Sequence, residues 1–180
     1  MSSFVFKGRD ERRILRICWL LCGTLIVLDQ ITKALVANCA HLAAGKPIIV
    51  VPGLFNLVLV NNTGAAWGIL YGRNMILLLI SCAVLALMLL FRNAVTEGWP
   101  ERYYGLFCVI AGIVGNSIDR AARKAVVDFL DFYLGSWPHW PAFNVADSAI
   151  CVGVFILVAS FMLRPTAISD GGIVQPRLGK

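Results

Sequence analysis

The chain has 180 residues, 59% of them hydrophobic and only 14% charged, with a mean hydropathy of +0.78. A water-soluble domain of this size carries about 25% charged residues, so the composition excludes one and indicates a chain that resides in a bilayer. The net charge of +6 fits attachment to anionic headgroups, and the bases form no continuous stripe beside aromatics that would support a nucleic-acid partner.

In chain order, the first apolar stretch runs from Ile14 to Leu28 and continues less cleanly to Val36. Its basic approach resembles a cleaved signal, but Asp29, Gln30 and Lys33 follow with no small-x-small cleavage site, so a retained helix is expected. The segment 46–70 is punctuated by Pro47, Pro52, Gly53, Gly64 and Gly68. Its apolar runs Ile48–Val51 and Leu54–Val60 are too short to cross a bilayer, and the turn signal Asn61-Asn62-Thr63-Gly64 follows them. Short strands in a small sheet at the outer surface are therefore expected. Met75–Phe91, Tyr103–Ile118 and Ala146–Leu163 are three further apolar stretches. The segment 120–143 between the last two contains Gly135, Pro138 and Pro141, and reads as a loop with an extended start at Val126–Tyr133.

The expected fold is a mainly α membrane protein of one domain over 1–180. Four transmembrane helices lie near 14–36, 75–91, 103–119 and 146–163, with a small extracytoplasmic β-sheet between the first and second. Lys7, Arg9, Arg12, Arg13 and Arg16 precede the first span, Arg92 and Arg102 sit between the second and third, and Arg164, Arg177 and Lys180 follow the fourth. Bases are retained on the cytoplasmic side, so both termini should be cytoplasmic. Cys18, Cys22, Cys82, Cys108 and Cys151 lie within spans as apolar fillers, and only Cys39 is placed for solvent access, so neither a disulfide framework nor a metal site is indicated.

Acids near a bilayer are costly and suggest function or tight pairing. Asp29, Asp119, Asp128, Asp131 and Asp147 all fall at the outer ends of spans or in the outer segments. The third and fourth helices meet at that face, so Asp128 and Asp147 can lie at one depth. Two carboxylates close together in a poorly hydrated site share a proton, which is what an aspartyl hydrolase needs. The anion takes a proton from water, and the neutral acid polarises the carbonyl. A zinc peptidase lacks its paired histidines, since only His41 and His139 are present, and Ser117 has no His on a neighbouring turn. A proton-coupled carrier is the alternative, although carriers place acids near the midplane and often carry repeats; a noncatalytic scaffold would not need both acids.

The stretches DQITK (Asp29–Lys33), NNTGAAWG (Asn61–Gly68), GIVGNSIDR (Gly112–Arg120), VVDFLDF (Val126–Phe132) and FNVADSAI (Phe143–Ile150) resemble, in order, the motifs of bacterial lipoprotein signal peptidase, or signal peptidase II. The resemblance implies an aspartyl endopeptidase of the bacterial inner membrane. It would cleave prolipoproteins before the diacylglyceryl-modified cysteine, near the outer face, with no cofactor or metal, as a monomer in contact with membrane lipids. Matched motif to motif, the catalytic pair is Asp128 and Asp147, and Asp131 is outside it. Asn62, Gly64, Asn116, Arg120 and Asn144 would bind substrate or support the site. Asn62 and Gly64 also read as a plain turn, and Asn144 is placed to cap the fourth helix as well. Asp29 and Lys33, at i and i+4, and Asp119, which shares a helix face with Asn116 and Arg120, are expected as structural support. Trp67, Trp137 and Trp140 read as an interfacial aromatic belt, and Ala111 and Gly115 as a small-xxx-small packing pair. Trp67, Ala111, Lys124 and Ala125 depart from the family's usual residues.

Overall fold

The computed structural model describes residues 8–64, 70–135, 139–164, 168–169 and 172–173. Gly68, Trp67 and Trp137, read above as motif or belt residues, lie outside them. Four long helices are seen: α1 (Gly8–Ala37), α3 (Asn74–Leu90), α5 (Pro100–Arg123) and α6 (Val145–Leu163). Two short helices, α2 (Ala40–Ala43) and α4 (Arg92–Thr96), sit in the connections. The segments Asp10–Ala37, Pro100–Arg123 and Val145–Leu163 are long and apolar enough to cross a membrane, whereas α3 has 17 residues.

The helices carry their polar side chains inward at one end and their apolar side chains outward. Along α1, the buried residues Ile14, Cys18, Cys22, Asp29, Lys33 and Val36 recur at helical spacing, while Leu20, Val27, Ile31 and Leu35 are exposed. An apolar exterior of this kind is stable against lipid chains and unfavourable against water. Helix α5 is central, with Tyr103, Leu106, Phe107, Ile110 and Ala111 packed against Ile14, Cys18 and Cys22 of α1.

Close contact between α5 and α6 depends on glycine. A Cβ on Gly112 would collide with the carbonyl of Ala146, and one on Gly105 would lie 2.9 Å from the carbonyl of Gly153. Gly115 faces α1 and α6: a Cβ there would lie 2.6 Å from Asp29 Oδ2. The small-residue packing therefore extends along Gly105, Gly112 and Gly115 rather than resting on Ala111 and Gly115 alone.

A three-stranded antiparallel sheet, in the order β1 (Ile48–Val51), β2 (Phe55–Asn62), β3 (Val126–Phe132), caps the same end of the bundle. Two expectations need correction here. The sheet is not confined to the segment between the first two long helices, because the extended start of the 120–143 loop joins it as β3. Asn61 and Asn62 also belong to β2, pairing with Val127 and Val126, so the expected turn begins only at the Asn62 side chain, which accepts the Gly64 N–H. Strand pairing across more than sixty residues leaves no local trace, which is why β3 read only as an extended loop. The third long helix also runs past the expected end at 119 to Arg123, with Arg123 on Asp119 at i+4. Val127 and Phe129 of β3 pack with Val36 and Leu42, seating the sheet on α1 and α2. Beyond β3, Phe143 exchanges backbone hydrogen bonds with Leu130 and leads the chain back into α6. Residues 168–169 and 172–173 form a separate two-stranded hairpin.

The opposite end of the bundle has its own clamp. Arg102 is fully buried, pairs with Glu97, donates to Ser160 Oγ (3.0 Å) and the Arg164 carbonyl (2.9 Å), and lies over the Phe161 ring. Arg164 in turn pairs with Glu101 at 3.1 Å and covers Trp99.

Two substitutions test this geometry. Gly112→Ala should lower stability in detergent by about 1–3 kcal/mol through overpacking, read as a fall in the thermal midpoint. Lys124 joins α5 to β3 at φ 62°, a left-handed conformation that costs a residue with a Cβ about 1 kcal/mol. Lys124→Gly should therefore raise the same midpoint or leave it unchanged, and a clear fall would show that the lysine side chain holds the turn.

Candidate active site

At the sheet end, β3 and the N-terminus of α6 bring Asp128 and Asp147 onto a single residue, Asn144. The Asn144 side-chain Nδ2 donates to Asp128 Oδ1 at 2.7 Å, and its backbone N–H donates to Asp147 Oδ2 at 3.2 Å. The second link is half of a reciprocal cap, since Asp147 N–H donates to Asn144 Oδ1 at 2.9 Å. An asparagine before a helix and an acid three residues later satisfy each other's backbone donors. The sequence FNVAD thus builds the cap and positions Asp147 by the same bonds.

Each acid has a second asparagine. Asn62, at the end of β2, donates to Asp128 Oδ2 at 3.0 Å, and Asn116 of α5 donates to Asp147 Oδ1 at 2.8 Å. Asp128 is 2% exposed. Burial pushes its carboxyl up to about 6, against the hydrogen bond from Asn62, and the nearby charge of Asp147 pushes it the same way.

Lys33 occupies the floor beneath the pair, with no solvent exposure. Its Nζ lies 2.8 Å from Asp29 Oδ2, 2.9 Å from Asp119 Oδ2 and 2.9 Å from Asn116 Oδ1. Asp29 also accepts the Ala146 N–H at 2.9 Å, and Asp119 accepts the Val127 N–H at 3.2 Å. The two acids expected as structural therefore fasten the start of α6 and the start of β3 to the helix bundle. Gln30, not singled out in the sequence, joins them by donating to Asp29, Asp119 and the Gly115 carbonyl.

Arg120 is buried, donates through Nη2 to the Gly64 carbonyl at 3.1 Å, and its Nε has no partner among the described residues. The hydroxyl of Thr63, in the same stretch as Gly64, is likewise buried without a partner there. The sequence pattern gave Thr63 only a place in a turn signal, since an unmet hydroxyl is a property of the surroundings. Gly64 N–H donates to Asn62 Oδ1 at 2.9 Å, a local turn that follows the strand.

Asp131 belongs to a different cluster. It accepts from Asn56 Nδ2 at 3.2 Å and pairs with His139 Nδ1 at 2.7 Å, and all three border a cavity of about 520 Å³ beside α2. Trp140, the belt residue within the described part, is exposed next to it. Among the described residues no group of three or more His, Cys, Asp or Glu side chains is arranged to hold a metal ion.

The family described as "Signal peptidase (SPase) II" matches residues 21–163. A lipoprotein signal peptidase of Desulforapulum autotrophicum is 43% identical over 154 residues, covering 83% of this chain and 93% of the relative. One from Maridesulfovibrio salexigens is 44% identical over 142 residues, covering 76% and 88%. A bacterial membrane enzyme solved by the in meso method at 2.3 Å superposes with a TM-score of 0.76 at 26% identity, covering 97% of this chain and 99% of that one. A second such structure, at 1.9 Å, gives 0.73 at 29% identity over 92% and 99%. A family match across most of the length, with relatives above 40% identity, means that the chain belongs to the signal peptidase II family.

Proposed function

We propose that Asp128 and Asp147 are the catalytic pair of an endopeptidase that removes signal peptides from prolipoproteins by cleaving before the diacylglyceryl-modified cysteine. The observation that carries this reading is the bridge through Asn144, which holds both carboxylates within reach of one reacting peptide bond. With one proton on the pair, the ionised acid takes a proton from the attacking water as the new C–O bond forms. The other acid gives its proton to the carbonyl oxygen. When the tetrahedral intermediate collapses, the C–N bond breaks and the leaving amine is protonated from the pair. The Nε of Arg120, without a partner among the described residues, supplies a donor to a substrate carbonyl, with Asn62 and Gly64 holding the backbone beside it. A donor already desolvated in a buried site is stronger than one in water.

On this reading the protein is a multi-pass protein of the bacterial inner membrane. α1, α3, α5 and α6 all cross, both termini are cytoplasmic, and the sheet lies at the outer face. The 17 residues of α3 reach about 25 Å, at the short end of what a bilayer accepts. The apolar outer faces of α1 and α3 keep the substrate's acyl chains in lipid, and the protein acts as a monomer without a cofactor. The proton-coupled carrier finds no support among the relatives.

Cleavage of a diacylglyceryl prolipoprotein by purified protein tests the pair. Asp128→Asn and Asp147→Asn should each lower kcat by about 1,000-fold or more, while Asp131→Asn stays within about threefold of wild type. Turnover retained in either of the first two would sink the assignment.

A pH series provides a further check. The proton on Asp128 is held with a pKa of about 6 instead of the ordinary 3.8 and is lost as pH rises. The kcat/KM profile between about pH 4 and 9 should therefore fall on its alkaline side, with a midpoint at or above about 6 that belongs to the pair. The same proton favours folding at low pH, a contribution lost as pH rises from the ordinary 3.8 through about 6. A rate that keeps climbing to pH 9 would contradict the shared proton.

A further inference from the structure

Three asparagine amides face the two acids, and each has its oxygen occupied by a group that can only donate. Asn144 Oδ1 takes the backbone N–H of Asp147, Asn62 Oδ1 takes the backbone N–H of Gly64, and Asn116 Oδ1 takes the ammonium of Lys33. An ammonium carries three hydrogens and no lone pair, and a backbone N–H has no acceptor role. None of the three amides can therefore turn over without setting its NH2 against a donor. All three must present NH2 to a carboxylate, and each of the four carboxylate oxygens accepts one N–H. The direction of an amide is ordinarily ambiguous from shape alone, and here it is fixed by chemistry.

The pins are not equivalent. Those on Asn62 and Asn144 are backbone groups two and three residues away, built into a turn and a helix cap. Asn116 Oδ1 is pinned by two side chains, Asn144 Nδ2 at 3.2 Å and, closer at 2.9 Å and 83 residues distant, the charged Nζ of Lys33. Lys33 spends its hydrogens on Asp29, Asp119 and Asn116 and has none left for either catalytic acid. The charged groups around it are Asp29, Asp119 and, through Asp119, Arg123, so the cluster as a whole is neutral. Asp29 and Asp119 already hold the ends of α6 and β3 through backbone N–H groups, so an ion pair alone does not require the third contact, to Asn116.

We propose that Lys33 is a positioning residue for the hydrolysis: together with Asn144 Nδ2 it fills Asn116 Oδ1 and so fixes the amide with its NH2 pointing at Asp147 Oδ1. The inference rests on the reading of Asp128 and Asp147 as the catalytic pair and adds to it the contact that sets the direction of the donor facing Asp147.

The test uses the full-length protein in detergent or bilayer with a diacylglyceryl prolipoprotein. Asn116→Asp keeps the size and leaves Lys33 a partner, but it replaces the donor facing Asp147 with a carboxylate. At neutral pH kcat should fall about 100-fold with KM within about threefold, and activity should recover toward acid pH as the new carboxyl becomes protonated and donates again. Lys33→Gln, which offers Asn116 either end of an amide, should lower kcat by about tenfold or more, and Lys33→Arg, again donor-only, should restore most of it. If Lys33→Gln does not fold, the acid shift of Asn116→Asp decides alone. An Asn116→Asp enzyme with the wild-type pH profile, or one that loses KM and kcat together, overturns the inference even when both Asp128→Asn and Asp147→Asn are dead. Turnover retained in either of those two overturns the catalytic pair instead.

Discussion

A lysine ammonium with no path to solvent lies where α1, α5 and α6 converge, and the rest of the sheet end is arranged around it. An unpaired charge there would cost several kcal/mol, so Asp29 and Asp119 must both be present and both close. That requirement alone brings two helices together. The carboxylates then accept the Ala146 N–H in the first turn of α6 and the Val127 N–H of β3, so the same ion cluster holds the helix start and the strand start. Asp147 and Asp128 are the next residue along in each case, which gives both acids their depth from a single buried charge.

Much of this could be read from the sequence, and the reasons are local. Hydropathy marked the long helices because each carries a long apolar run of its own. Asp29 and Lys33 are four residues apart on one helix, and Asn144 and Asp147 are three apart at a helix start, so their bonds follow from spacing. The convergence of Asp128 and Asp147 followed from chain direction at the α5–α6 end. The choice of those two over Asp131 came from the family motifs, and Asp131 has its own partners, Asn56 and His139.

What could not be read is the set of contacts between distant segments. Lys33 meets Asp119 and Asn116 from another helix, and Val126–Phe132 becomes a strand only because β2 offers an edge in register. Gln30 and Thr63 are ordinary polar residues in sequence, and their settings come from neighbours that folding supplies. The direction of the three amides belongs to the same class, for no sequence rule states which end of an asparagine faces an acid.

The two ends of the bundle are held by buried charge, and α5 and α6 are joined between them by glycine contact. Helix α3 is different: only Leu77 is buried, with Leu85 and Met88 half-buried against the core and Asn74 bonded to the Arg120 carbonyl. In the proposed topology most of α3 faces hydrocarbon, which distinguishes poorly between one aliphatic side chain and another. Over evolutionary time its residues are thus free to drift among leucine, isoleucine, valine and methionine. A single added carbon on the facing surface of α5 meets a backbone. The history of the family should show fast substitution in one helix and near stasis in its neighbour, with lipid setting the first rate and steric exclusion the second.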